Sequence, residues 1–347
     1  MESYSDTAAN DTIRVFVLTQ SPMPDALIDS LRAVSPRLVV EHRTAQTLEE
    51  LGDAVWPGVE VLYTTMLMPS PEQAPDVRWV QGHFAGVEQF LDHPLFRRAA
   101  LTTTSGIHAP AMAEYVLMML LAFAHHLPRM IHYQQRSEWP KRRWDLFTPR
   151  ELGGSTAGIV GYGSIGGEVA RLARAFRMRV LATKRDVARA GDTGWRLPGI
   201  GDAAAKHVDR LYPADALHDM LSECDYIVLT VPLTPETHHL IGEAELERMR
   251  PDAVLINVSR GGVIDEAALI EALRAGTIRG AALDVFEHEP LPASSPLWSL
   301  PNVILSPHVS GFTFAYDERA MALFAENLRR YVNGEELLNR VDLRRGY

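Results

Sequence analysis

Short runs of β-branched and aliphatic residues alternate along this chain with stretches whose apolar positions recur at helical spacing. Ile13-Arg14-Val15-Phe16-Val17-Leu18 predicts a strand, and Asp25–Ala33 predicts a helix. Leu38–Val40, Val59–Tyr63, Val77–Gln81 and Ala100–Thr104 predict further strands. Strands separated by helices imply βαβ units and a parallel sheet, so the pattern predicts one small doubly wound domain ending near Gly106. A second series begins at Ser155, with strands predicted at Thr156–Val160, Arg179–Ala182, Tyr226–Thr230, Ala253–Asn257, Gly280–Leu283 and Val303–Leu305.

Between the two series, one helix is predicted from Ala109 to near Gln134. Its apolar residues are too continuous for a surface helix, so burial on several sides is expected. Arg136–Pro149, rich in Arg, Trp and Pro, predicts an extended arm. Residues 186–213 hold several glycines and prolines with no apolar period and predict a long surface insertion. Ala315–Val332 predicts a final helix.

Composition narrows the function more than the fold. The 347 residues, 46% apolar and 22% charged, suit about two globular domains. A formal charge of −10 argues against a nucleic-acid partner, which needs a basic face. Cys224 is the only cysteine, so no intrachain disulfide can form; a buried structural thiol in a cytoplasmic protein is expected. Met1–Thr12 lacks the basic start and apolar centre of a signal peptide. The apolar run Tyr115–Ala124 is too short to span a bilayer, so no membrane is expected. His125-His126 and His238-His239 are adjacent pairs without metal-ligand spacing, no CxxC occurs, and no metal site is expected.

The sharpest local signal is Gly158-Ile159-Val160-Gly161-Tyr162-Gly163-Ser164-Ile165-Gly166-Gly167. It contains G-x-G-x-x-G after a predicted strand and before a helical pattern, the context that marks a dinucleotide-binding turn. Gly161 suits the tight turn, Gly163 the close approach of a pyrophosphate, and Gly166 close helix–sheet packing. The helix start itself favours phosphate. The next strand should end on an acid that reads the ribose of NAD, but the sequence there is Thr183-Lys184-Arg185. Two cations suit a 2′-phosphate, which favours NADP; NAD stays open if Asp186 or the insertion reshapes the site.

Three further blocks stand in order after the turn. They are Thr230-Val231-Pro232-Leu233-Thr234-Pro235-Glu236-Thr237, Asn257-Val258-Ser259-Arg260-Gly261-Gly262-Val263-Ile264-Asp265-Glu266, and Ala282-Leu283-Asp284-Val285-Phe286-Glu287-His288-Glu289-Pro290-Leu291-Pro292 followed by Ser306-Pro307-His308. With these blocks the chain resembles the D-isomer-specific 2-hydroxyacid dehydrogenase family, which includes glyoxylate/hydroxypyruvate reductases. The resemblance covers nearly the whole chain and is strongest over Glu151–Gly311.

That resemblance implies an α/β protein of two doubly wound, Rossmann-like parallel-sheet domains with a cleft between them. A flavodoxin-like substrate domain is expected from residues 1–107 plus 313–347, and an NAD(P)-binding domain from 108–312, with 108–150 as linking helix and dimerisation arm. It implies hydride transfer between NAD(P)H and a small 2-keto or D-2-hydroxy acid. Arg260 would bind the substrate carboxylate and polarise the keto oxygen, His308 would be the general acid, and Glu289 would hydrogen-bond His308. Ala85 and Gly86, in His83-Phe84-Ala85-Gly86-Val87-Glu88, would hold the carboxylate through backbone N–H groups. Cofactor contacts would come from Gly161, Tyr162, Gly163, Ser164, Ile165, Gly166, Lys184, Arg185, Val231, Pro232, Thr237, Val258, Ser259, Asp284, His308 and Gly311. A homodimer is implied, with Trp139 and Trp144 as interface anchors. The chemistry is coherent: hydride delivery builds charge on oxygen, which calls for a proton donor and a cation. Two alternatives remain: a nicotinamide-sensing binding protein of the co-repressor type, and a same-fold dehydrogenase acting on phosphite or a larger 2-keto acid.

Overall fold

The computed structural model describes residues 12–189, 191 and 194–346; the polar start, Thr12 apart, lies outside them. In chain order the elements are β1 (Ile13–Thr19), α1 (Asp25–Arg32), β2 (Leu38–Thr44), β3 (Val59–Thr64), β4 (Trp79–Gly82), β5 (Ala100–Thr102), α2 (Ala109–Ala124), α3 (Leu127–Gln135), α4 (Arg143–Phe147), β6 (Thr156–Val160), α5 (Ser164–Ala175), β7 (Arg179–Lys184), β8 (Arg210–Pro213), α6 (Leu217–Leu221), β9 (Tyr226–Leu229), α7 (Glu243–Arg248), β10 (Val254–Asn257), α8 (Glu266–Ala275), β11 (Gly280–Leu283), β12 (Val303–Leu305) and α9 (Tyr316–Val332). The chain divides into two units, Met1–Ile107 with Phe314–Tyr347, and His108–Thr313.

In the first unit, β1 alternates Val15 and Val17 toward one face with Phe16 and Leu18 toward the other, and both sets are buried. Helices α1 and α9 cover the first face, where Ile28 and Leu31 meet Met321, Phe324 and Leu328. Each such fully buried side chain contributes about 1.5–3 kcal/mol. The sheet order is β2-β1-β3-β4-β5, with every pairing parallel.

In the second unit the order is β12-β11-β10-β9-β6-β7-β8, again all parallel. Ile159, Val180, Val228 and Ile256 face α2 and α5, whereas Leu181, Ile227, Leu229 and Leu255 face α6, α7 and α8. The chain starts at β6 and winds first one way and then the other. The switch point therefore lies between the C-terminal ends of β6 and β9, where such sheets bind ligands.

Three expectations need correction. The predicted long helix is broken into α2 and α3, which meet at a 65° bend. His126 adopts a left-handed conformation (φ 58°), and Pro128, which lacks an N–H, stands in the first turn of α3. Residues 136–149 are not wholly extended, since Arg143–Phe147 forms the short α4. The insertion at 186–213 is not all surface loop, because its last residues form edge strand β8 beside β7. Four residues ending in Pro, with Tyr212 the buried one, give too little alternation to betray a strand, and proline suits an edge. Among the described residues no single helix is long and apolar enough to cross a membrane.

Candidate active site

At the end of β6, Gly161 turns with φ 100°, a conformation that favours glycine. A Cβ there would lie 2.7 Å from Val231 Cγ1, so the turn is pressed against the loop after β9. A Cβ on Gly166 would lie 2.4 Å from the Gly161 carbonyl, which fixes how closely α5 approaches the turn. Gly163 differs, because a Cβ there meets nothing within 4 Å and its φ of −109° is open to any residue. Nothing in the protein demands a glycine at 163; the free space does so only if a ligand lies against it. Helix α5 begins at Ser164 with no side-chain cap and no acidic residue in its first turn, leaving its N–H groups and positive dipole end to an anion. Ile165 lies partly buried on the core. Tyr162 turns inward, giving its N–H to Thr183 O (3.0 Å) and its hydroxyl to Asp202 Oδ2 (2.6 Å), so its role is in shaping the turn.

The end of β7 carries Lys184 and Arg185. Lys184 Nζ donates to Gly191 O at 2.9 Å, and Arg185 is exposed. The Asp186 carboxylate accepts the Ala188 N–H (3.1 Å) and lies 3.7 Å from Arg189. Across the switch point, Thr230 Oγ1 donates to Gly161 O (2.6 Å), and Thr237 Oγ1 donates to Pro232 O (2.6 Å) while accepting the Thr234 N–H (2.8 Å). These bonds set the shape of the loop that carries Val231 and Pro232.

Three neighbouring strand ends, of β10, β11 and β12, present the charged groups. After β10, Asn257 Nδ2 donates to Arg260 O (3.0 Å), while its Oδ1 accepts the Ser259 N–H and hydroxyl. Val258 and Ser259 are buried, and Arg260 Nη1 donates to Ser259 O (2.8 Å). Gly261 is obligatory, because a Cβ would lie 1.8 Å from the Phe286 carbonyl carbon. After β11, Asp284 is wholly buried and spends its carboxylate on one loop. Oδ1 accepts the Ser306 hydroxyl (2.6 Å) and the Val309 N–H (2.9 Å); Oδ2 accepts the Ser310 N–H (2.9 Å). Its main-chain oxygen takes the His308 N–H at 2.8 Å.

This loop holds His308 at φ 55°, a left-handed conformation that costs a non-glycine residue about 1 kcal/mol or more. His308 Nδ1 lies 2.8 Å from Glu289 Oε2, and Glu289 Oε1 accepts the Phe286 N–H at 3.0 Å. The carboxylate therefore fixes the ring and leaves Nε2 for a reacting group. Gly311 packs against His108, with 3.1 Å between a built Cβ and His108 Cδ2.

In the first unit, Ala85 and Gly86 follow β4 in a loop with Ala85 exposed. The loop is anchored at His83, whose N–H donates to Thr64 O (2.8 Å) and whose carbonyl accepts the Thr104 and Tyr316 hydroxyls. Tyr63 Oη lies 2.5 Å from His83 Nδ1. Burial pushes the His83 imidazole down to about 4, against the opposing pull of Asp317.

Residues 117–310 match the model of the D-isomer specific 2-hydroxyacid dehydrogenase NAD binding domain. A glyoxylate reductase of Thermococcus gammatolerans is 38% identical over 269 residues, 76% of each chain. The chain belongs to the D-isomer-specific 2-hydroxyacid dehydrogenase family. Among solved structures, a D-isomer specific 2-hydroxyacid dehydrogenase from Xanthobacter autotrophicus Py2, in complex with NADPH and MES, superposes with a TM-score of 0.79 at 30% identity, covering 97% of this chain and 100% of that one. An NADPH-dependent glyoxylate/hydroxypyruvate reductase from Sinorhizobium meliloti, in complex with NADP and sulfate, gives 0.76 at 26% identity over 97% and 100%. As a member of that family the protein is an NAD(P)-dependent oxidoreductase. The turn fits such a dinucleotide: the space over Gly163 and the uncapped start of α5 match a pyrophosphate.

The sequence motifs contain Asn257, Ser306, Thr183 and Thr230 without assigning them a role, and leave out Asp202; all five hold the site's backbone in this dehydrogenase. Asn257 offered a faint signal as a polar residue closing an apolar strand. Tyr115 reaches the Asp284 network through Ser306 Oγ (2.6 Å), and burial first, with Asp284 adding to it, pushes its hydroxyl up to about 12. Cys224 lies buried against Gly158, its thiol pushed up to about 12 mainly by burial, which makes it inert.

Proposed function

We propose that this dehydrogenase works as a reductase of small 2-keto acids of the glyoxylate and hydroxypyruvate type, with NADPH as its preferred donor. The observation that carries the reading is the 2.8 Å pair of His308 Nδ1 and Glu289 Oε2, on a loop anchored by Asp284. The relatives named above support the substrate class.

A bound nicotinamide supplies a hydride for the carbonyl carbon. As that C–H bond forms, the C=O π pair moves to oxygen, and the imidazolium of His308 delivers the proton from Nε2, leaving a neutral ring and a hydroxy acid. Glu289, 2.8 Å from Nδ1, fixes the orientation of the ring so that Nε2 faces the substrate oxygen. Arg260, held by Asn257, is assigned the carboxylate and the keto oxygen, which a planar guanidinium can bind together. In the first unit, the N–H groups around Ala85 and Gly86 are assigned to the substrate carboxylate. Asp284 serves as a positioning residue for the His308 loop.

The preference for NADPH is supported by Lys184 and Arg185 at the end of β7, with the Asp186 carboxylate engaged by the Ala188 N–H and by Arg189. A homodimer is supported by exposed apolar residues along α3 (Leu127, Met130 and Ile131) and by Trp139 and Trp144, 84% and 72% exposed. The single, buried cysteine supports a cytoplasmic location.

The test follows near-ultraviolet absorbance of NADPH and, separately, NADH with glyoxylate, hydroxypyruvate, pyruvate and phenylpyruvate. Turnover is expected with glyoxylate and hydroxypyruvate, and His308→Ala should lower kcat about a thousandfold while cofactor still binds. Tight cofactor binding with no turnover on any acid would replace this reading with that of a cofactor-sensing binding protein.

A further inference from the structure

We propose that residues 194–209 form a strap that sets the shape of the glycine turn, with Asp202 as its clamp and thus a positioning residue for dinucleotide binding. The inference rests on the cofactor reading above and adds a determinant outside the motif.

Asp202 is buried, and its carboxylate is fully used. Oδ2 accepts the Tyr162 hydroxyl (2.6 Å) and the His207 N–H (2.6 Å), and Oδ1 accepts the Lys206 N–H (2.7 Å). Burial alone would raise its pKa, but the bonds from Tyr162, His207 and Lys206 outweigh that and hold it below the usual carboxylate range. Tyr162 stands between Gly161 and Gly163, so this tether acts on the backbone of the turn itself. The strap also touches the helix that follows. A Cβ on Gly167 would lie 2.9 Å from Asp202 N, and the Gly201 N–H donates to Glu168 Oε2 at 2.7 Å. Glu168, buried in α5, is held in turn by Arg171 (2.6 and 2.8 Å).

The C-terminal end is secured. Ala205 and Val208 pack on the core that holds Val169, Ala170 and Ala173. Asp209 exchanges bonds with β7, its N–H donating to Val180 O and its Oδ2 accepting the Val180 N–H, each at 2.8 Å. On the other side, a Cβ on Gly191 would lie 2.4 Å from Ala203 O, and Gly191 O is the acceptor of Lys184 Nζ. Gly191, against which the strap packs at Ala203, thus holds Lys184, the residue assigned to the 2′-phosphate.

The physical reason is preorganisation. A turn with three glycines in six residues has much freedom to lose when a ligand orders it. Tethers made in the free protein remove that cost before binding.

Tyr162→Phe, Asp202→Asn and the double variant test this by NADPH titration of protein fluorescence and by trypsin cleavage after Arg196 and Lys206 without cofactor. Each single change should weaken NADPH binding about tenfold, the loss of one buried hydrogen bond to a charged group. The double variant should be little worse than either. The KM for cofactor should rise while that for the keto acid holds. Cleavage should quicken in each variant and slow again with NADPH, since coupling between the two is reciprocal. Faster cleavage with wild-type NADPH affinity would overturn the inference, as would unchanged values of both. Should Asp202→Asn fail to fold, Tyr162→Phe, which loses a single oxygen, carries the same decision. A wild-type chain that binds neither NADPH nor NADH would overturn the cofactor reading and this inference together.

Discussion

The two doubly wound units of this chain place a helix start at the same point of their topology and give it opposite chemistry. In the first unit, β1 leads through Pro24 into α1, whose first residue is Asp25. That carboxylate already sits at the positive end of the helix, so the site repels a phosphate. In the second unit, β6 leads through Gly161-Tyr162-Gly163 into α5, with no acid in the first turn and open space over Gly163. The strand–turn–helix is shared; the anion site is not. Architecture alone does not confer dinucleotide binding, which depends on a few positions at the turn.

The same contrast extends to the histidines. His83 of the first unit is buried and held near a pKa of about 4, chiefly by burial. His308 of the second is 48% exposed and paired with Glu289. The folded pKa of His83 lies below its ordinary value of 6.5, so between these limits the unfolded chain binds more protons. Its contribution to stability is present above pH 6.5 and is lost as the pH falls toward 4, by about 3 kcal/mol. His83→Gln should flatten the fall of Tm across that window relative to wild type. Identical slopes in thermal denaturation from pH 7 to 4 would show that His83 is not held neutral. A smaller effect is expected at the end of β7. Lys184→Ala with Arg185→Ala should weaken NADPH binding about thirtyfold and leave NADH nearly unchanged, each charge to phosphate being worth about 1 kcal/mol. Equal losses for both cofactors would mean that these residues hold the strand end rather than read the phosphate.

Much of this was legible in the sequence, for reasons that differ by region. Strands such as Ile13–Thr19 and Thr156–Val160 are buried on both faces and read as continuous apolar runs. The glycine turn was legible because Gly161 answers a local backbone demand, a φ of 100°, and Gly166 the close approach of the Gly161 carbonyl five residues before it. Strand β8 was hidden because only Tyr212 of its four residues is buried. The break at His125-His126 was overshadowed by the apolar run before it, although Pro128 marked the place. Asp284 is expected among the cofactor contacts, yet its bonds to Ser306, Val309 and Ser310 join residues more than twenty positions apart. No local pattern encodes such a network, and the same holds for Tyr162 and Asp202.

The turn after β6 is shaped for a dinucleotide, and nothing within the protein requires a glycine at 163. Titration of Gly163→Ala with NADPH tests it most directly. The added Cβ meets nothing in the protein, so the variant should keep the wild-type Tm while its affinity for NADPH falls about tenfold or more. Wild-type affinity in a variant with wild-type Tm would contradict the account.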